Sequence, residues 1–142
     1  MNTPKLKIII VDDNDMFRNA VKLYLQNEMK FDIIGEASNG LQFLKLKNIF
    51  TADIVLMDIQ MPVKDGISAV KEWCLINPKT KVIAVTMFSD KAYLLPLIEA
   101  GFKGCIFKTN FFSKIREAIE NVMNGNLFFE QDLPISDINL TA

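Results

Sequence analysis

Five short apolar runs recur along this chain, separated by stretches with helical spacing, and that alternation permits few folds. Residues 8–11, 54–57, 82–85 and 105–107 lead directly into Asp12-Asp13, Asp58, Thr86 and Lys108. The remaining run, residues 31–37, closes on the turn-forming Ser38-Asn39-Gly40. Helical crossovers between short strands imply a parallel sheet with right-handed connections. Parallel strands end along one edge, and that edge is where ligands bind in open α/β folds. Three carboxylates, a hydroxyl and an ammonium are therefore expected to converge on one spot that could accept phosphate.

The elements follow from the same pattern. Strands are expected at 5–11, 31–37, 52–57, 81–86 and 104–107. Asn14 should cap the first helix, in which Met16, Phe17, Ala20, Val21, Tyr24 and Leu25 recur at helical spacing. A short helix is expected over 41–48, with Leu41, Leu44 and Ile49 on one face. Asp65-Gly66 opens a helix running to about Ile76, and Asn77-Pro78 ends it. Ser89 or Asp90 would cap a fourth helix, which stops at Ala100-Gly101 in the manner of a glycine C-cap. Pro96 lies inside that pattern, so this helix either begins near Leu94 or bends there. The last helix is expected over 111–123, ended by Asn124-Gly125. The expected architecture is (βα)5 in a single α/β domain, with no internal repeat.

Bulk properties exclude several functions. A chain of 142 residues, half of them apolar, is long enough for one real core. A net charge of -1 leaves no global basic footprint for nucleic acid. No apolar run approaches membrane-spanning length, and residues 1–7 are not followed by a signal-peptide core, so cytoplasmic residence is expected. Cys74 and Cys105 sit in apolar surroundings without a CxxC pair, which suits free buried thiols. The absence of histidine excludes a Ser-His-Asp or Cys-His triad, a His-based zinc site and a phosphohistidine carrier within this chain.

Three carboxylates in one crevice constrain the chemistry further. Two such charges about 5 Å apart repel by roughly 3 kcal/mol at an effective dielectric of 20. Asp12, Asp13 and Asp58 together therefore need a cation or a raised pKa. Mg2+ suits such a cluster, as a hard ion that takes oxygen ligands and keeps waters. It would also neutralise charge on a transferring phosphoryl group. Thr86 offers a hydroxyl and Lys108 a mobile ammonium at the neighbouring strand ends.

In these residues the chain resembles a response-regulator receiver domain of two-component signalling. The likeness covers residues 5–125 and rests on Val11-Asp12-Asp13-Asn14, on Met57-Asp58-Ile59-Gln60-Met61-Pro62 with Asp65-Gly66, and on Thr86, Ala100-Gly101 and Lys108. It implies a flavodoxin-like fold with a central five-stranded parallel sheet in the order 2-1-3-4-5. It also implies that Asp58 takes a phosphoryl group from a sensor histidine kinase or phosphotransfer protein. Asp13 would bind Mg2+ directly and Asp12 through water, with Asp58 and the backbone carbonyl of Gln60 completing the protein ligands. Lys108 would hold the phosphoryl oxygens, and Thr86 would hydrogen-bond them after transfer. Homodimerisation on phosphorylation is the family expectation, through helix 4 and strand 5. A second candidate face is helix 1 with the terminal helix bearing Phe111, Phe112 and Ile115.

This chain has its own features within that pattern. Cys105 stands where the family usually carries an aromatic, and Thr109 follows Lys108 where proline is common. Thr109 and the Asn124-Gly125 ending resemble receivers that precede LuxR-type helix-turn-helix output domains. Phe88, apolar and bulky two positions after Thr86, implies slow self-dephosphorylation. An aspartate-nucleophile phosphatase of haloacid-dehalogenase type would want Asp-x-Asp after strand 1 and a cap, whereas the aspartates here are adjacent. The expected function is thus a switch and not a turnover enzyme, with DNA reached only through an output domain absent from this chain. The alternative is a natural single-domain or degenerate receiver serving as a docking or dimerisation module. Residues 126–142 are expected to be a tail or linker stub, whose Leu127, Phe128 and Phe129 must cover the last helix or a partner.

Overall fold

The computed structural model describes residues 5–87 and 94–130. Six parallel strands form one sheet: β1 (Lys7–Val11), β2 (Asp32–Ala37), β3 (Ile54–Met57), β4 (Val82–Thr86), β5 (Gly104–Phe107) and β6 (Phe128–Phe129). Their order is β2-β1-β3-β4-β5-β6, the expected flavodoxin-like order extended by one strand. Five helices connect them: α1 (Asp15–Asn27), α2 (Gly40–Leu44), α3 (Gly66–Ile76), α4 (Leu94–Ala100) and α5 (Phe111–Met123).

Alternation along the strands builds a core on each side of the sheet. Ile9, Val11, Val55, Met57, Val82, Ala84 and Phe107 face Phe43, Ala69, Val70, Trp73 and Leu97 of α2, α3 and α4. Ile8, Ile10, Ile54, Leu56, Ile83, Val85 and Ile106 face Val21 and Leu25 of α1 and Phe111, Ile115 and Ile119 of α5. Strands buried on both faces read as unbroken apolar runs, which is why the runs stand out in the sequence.

Several local expectations hold and others need correction. Asn14 caps α1, accepting from the Phe17 backbone N–H at 3.0 Å, and Asp65 caps α3, accepting from Ser68 at 2.7 Å. Gly101 ends α4 at φ 112°, a left-handed conformation that glycine adopts without steric cost. The described α4 starts at Leu94, so Pro96 lies in its first turn, where no intrahelical N–H bond is required. The proposed caps Ser89 and Asp90, and Phe88, lie outside the described residues.

In α1 the core stripe is Phe17, Val21, Tyr24 and Leu25, while Met16 is 85% exposed. The helix expected over 41–48 stops at Leu44, and the chain re-forms a 3-10 turn at Ile49–Thr51. Asn48 donates its side-chain amide to the Ile34 carbonyl, tying this loop to β2 instead of extending the helix. Phe43 and Ile49 fill the core there, and Leu41 faces solvent.

The sheet has six strands where five were expected. Phe128 pairs with Gly104 and Phe129 with Cys105, and a side chain at Gly104 would meet the Phe128 carbonyl at 2.6 Å. Their rings pack on opposite cores, so Phe128 and Phe129 cover the sheet edge, while Leu127 is exposed.

Gly66 decides how closely α3 approaches β3. A Cβ there would lie 2.1 Å from the Asp58 carbonyl, and the Gly66 N–H donates to Ile59 at 2.8 Å. Gly66→Ala should therefore destabilise the fold by about 1–3 kcal/mol despite alanine's better helix propensity. Urea unfolding checks this: a variant at least as stable as the parent would show that the helix start shifts freely.

Candidate functional site

The register of the sheet brings the acids together. Val11 sits beside Met57 at the ends of β1 and β3, so Asp12 and Asp58 leave adjacent strands at the same level. Both are buried, whereas Asp13 is exposed. Oxygen atoms of Asp12, Asp13 and Asp58 all lie within 4.8 Å of one another. Three carboxylates this close form an acidic pocket that could hold a metal ion, and their all-oxygen set suits a hard divalent cation.

Lys108 enters from the end of β5 and answers both buried acids. Its Nζ lies 2.8 Å from Asp12 Oδ2 and 3.3 Å from Asp58 Oδ2, and 4.8 Å above the centre of the Phe17 ring. Asp12 Oδ1 also accepts from the Asn14 backbone N–H at 2.8 Å, and Asp58 Oδ1 from that of Ile59 at 2.7 Å. Burial alone would lower the Lys108 pKa, but the hydrogen bonds and charges of Asp12 and Asp58 outweigh it and raise the value. Burial and then the charge of Asp12 push Asp58 from 3.8 up to about 7, against the opposing pull of Lys108.

An open cleft of about 420 Å³ is lined by Asp13, Asn14, Asp58, Gln60, Met87 and Lys108. Gln60 is exposed on its rim. Thr86 ends β4 beside Phe107, as expected, but it is buried and does not line this cleft. Of the expected dimer face on α5, Phe111 and Ile115 point into the core, leaving Phe112 as the exposed ring beside Tyr24 at 5.1 Å.

Sequence reasoning did not single out the residues that brace the site. Arg18 donates to the Asp12 carbonyl and pairs with Glu36 at 3.1 Å and Asp15 at 2.8 Å. Lys22 reaches the same Glu36 at 2.8 Å, and although partial burial pushes that carboxyl up, Lys22 and Arg18 hold it below its ordinary value. Only the Asp15–Arg18 spacing, one helical turn apart, is visible in the sequence. Cys105 is buried and its thiol is pushed up to about 12, by burial and by Glu130, so it is inert at neutral pH. Burial also raises the half-buried Cys74, with Lys103 opposing, and both thiols are free.

Comparison with known proteins identifies the family. Residues 8–120 match the model of the response regulator receiver domain family. The chain is 32% identical over 120 residues to the transcriptional regulatory protein LiaR of Bacillus subtilis, covering 84% of this chain and 57% of that protein. It is 33% identical over 134 residues to LnrK of the same organism, covering 94% and 61%. It is 28% identical over 128 residues to DegU of Brevibacillus brevis, covering 90% and 54%. The chain thus spans little more than half the length of these curated relatives. Among solved structures, a LuxR-family two-component response regulator from Aurantimonas superposes with a TM-score of 0.87 at 24% identity, covering 96% of this chain and 99% of that one. No helix among the described residues is long and apolar enough to cross a membrane.

The raised Asp58 has a consequence for stability. Between about 3.8 and 7 Asp58 binds more proton in the native state than in the unfolded chain, so its contribution to stability falls as pH rises through that window and is level outside it. Asp58→Asn should remove that contribution in metal-free protein. Its gain over the parent should be small near pH 4 and grow to the order of 3 kcal/mol above pH 7. Chemical denaturation across that range checks it, and a pH-independent gap between the two proteins would contradict it.

Proposed function

We propose that this chain, which belongs to the response regulator receiver domain family, is a two-component signalling switch that accepts a phosphoryl group on Asp58. The observation that carries the reading is the Lys108 ammonium, held between the buried Asp12 and Asp58 carboxylates at the C-terminal edge of the sheet.

The donor is a phosphohistidine on a sensor histidine kinase or phosphotransfer protein. An Asp58 carboxylate oxygen attacks phosphorus as the P–N bond breaks, and the imidazole leaves with the bonding electron pair. Asp58 opens onto the cleft through which the donor approaches. Against burial and the charge of Asp12, the charge and hydrogen bond of Lys108 favour the ionised, nucleophilic form of Asp58. Asp13, Asp58 and the Gln60 backbone carbonyl would hold Mg2+, with Asp12 helping through water, and the ion would supply positive charge to a transferring phosphoryl group. Lys108 exchanges its contact with Asp58 for the phosphoryl oxygens, and the Thr86 hydroxyl donates to them after transfer.

The new charge shifts the β4–α4 region and promotes homodimerisation, through the α4–β5 face or the α1–α5 face. The receiver spans residues 5–125 with β6 added to its sheet, and the tail after β6 is a linker towards an output domain. The names of the relatives support an effect on transcription, with DNA contacted by that output domain. The switch works in the cytoplasm and turns over no external substrate.

Incubation with acetyl phosphate and Mg2+, followed by intact mass spectrometry, should add one phosphoryl group. The adduct should vanish in Asp58→Asn and on chelation of the metal. Lys108→Ala should slow its formation by roughly a hundredfold. No adduct, together with no spectral response of the folded protein to beryllofluoride, would favour a docking module that is never phosphorylated.

A further inference from the structure

Three carboxylates are buried among the described residues, and one of them, Glu130, lies outside the acidic pocket. It also lies beyond residues 8–120, the stretch that the family model matches. Burying a carboxylate costs several kcal/mol unless donors satisfy it. Here the donors come from both sides of Lys108. Glu130 Oε1 accepts from the Phe107 backbone N–H at 3.2 Å, and Oε2 accepts from the Asn110 side-chain amide at 3.1 Å. Its own N–H donates to the Cys105 carbonyl at 3.2 Å, continuing the pairing of β6 with β5.

Asn110 strengthens the case. It occupies the N-cap position of α5, where an asparagine would ordinarily accept from the first turn of the helix. It makes no such side-chain bond and is turned to Glu130 instead. The 3-10 turn Lys108–Asn110 is therefore gripped at the residue before the lysine and again at its end. This turn sets the direction in which the lysine leaves the sheet.

We propose that Glu130 is a positioning residue for Lys108: it holds the Phe107 N–H before the lysine and the Asn110 side chain after it, and couples the strand after α5 to the acidic pocket. Resting on the phosphoacceptor reading, this makes the chain that follows α5 part of what holds the phosphoryl-binding cation. Tension on that chain would move Lys108, and movement of Lys108 on phosphorylation would loosen it.

Two readouts test the clamp in the folded protein. The first is the 15N signal of the Lys108 ammonium, which reports its surroundings without any phosphorylation. Glu130→Ala should shift or broaden that signal. Asn110→Ala, which removes one of the two grips, should move it less. Glu130→Gln keeps an oxygen for the Phe107 N–H and should stay near the parent, and Asn110→Ala carries the test if Glu130→Ala does not fold. The second readout is the rate of adduct formation from acetyl phosphate at saturating Mg2+. It should fall roughly tenfold or more in Glu130→Ala, while the apparent Mg2+ affinity changes by less than about twofold. Folded Glu130→Ala or Asn110→Ala with the parent's Lys108 signal and rate would overturn the clamp and leave the phosphoacceptor reading standing. A Lys108 signal that moves in a chain whose parent forms no adduct would support the clamp and overturn phosphorylation.

Discussion

Two carboxylates buried side by side repel each other, and the ammonium of Lys108 is the charge that holds Asp12 and Asp58 together. These acids belong to adjacent strands, whereas β5 is separated from β3 by β4. A long, flexible stem with a compact charge at its tip can cross that distance, as a short side chain could not. The ammonium lies over the Phe17 ring, so α1 also borders the lysine's charged end. The ion pairs thereby join the first, third and fifth strands across the C-terminal edge of the sheet. Lys108 also opposes the rise that burial and the charge of Asp12 impose on the Asp58 carboxyl.

The members of this site are braced by residues from other elements. Arg18 of α1 holds the Asp12 carbonyl and is itself tied to Glu36 of β2. Gly66 lets the start of α3 lie against the Asp58 carbonyl. Glu130 and Asn110 grip the turn that bears Lys108. Groups held in place before reaction are what electrostatic stabilisation of a transferring phosphoryl group requires. The open cleft faces this braced cluster, and Asp58 lines it.

Much of the sheet and most of the site were legible in the sequence because both depend on local order. Apolar runs ending at Asp12, Asp58, Thr86 and Lys108 mark strand ends whatever the rest of the chain does. Asn14 and Asp65 cap their helices by hydrogen bonds spanning three residues, so their roles are visible at short range. The reading failed where a distant partner overrode local pattern. Asn48 bonds to Ile34 and curtails the helix expected over 41–48.

The alternation of runs and helices by itself determined a parallel α/β sheet and the edge on which the acids and the lysine gather. Only the tertiary structure decided that Phe128 and Phe129 form a sixth strand, that Arg18 reaches the Asp12 carbonyl, and that Glu130 spans the turn around Lys108. A two-residue strand has no periodicity to read. A carboxylate 22 residues after the lysine in sequence looks like any solvated charge until folding buries it beside that lysine's backbone.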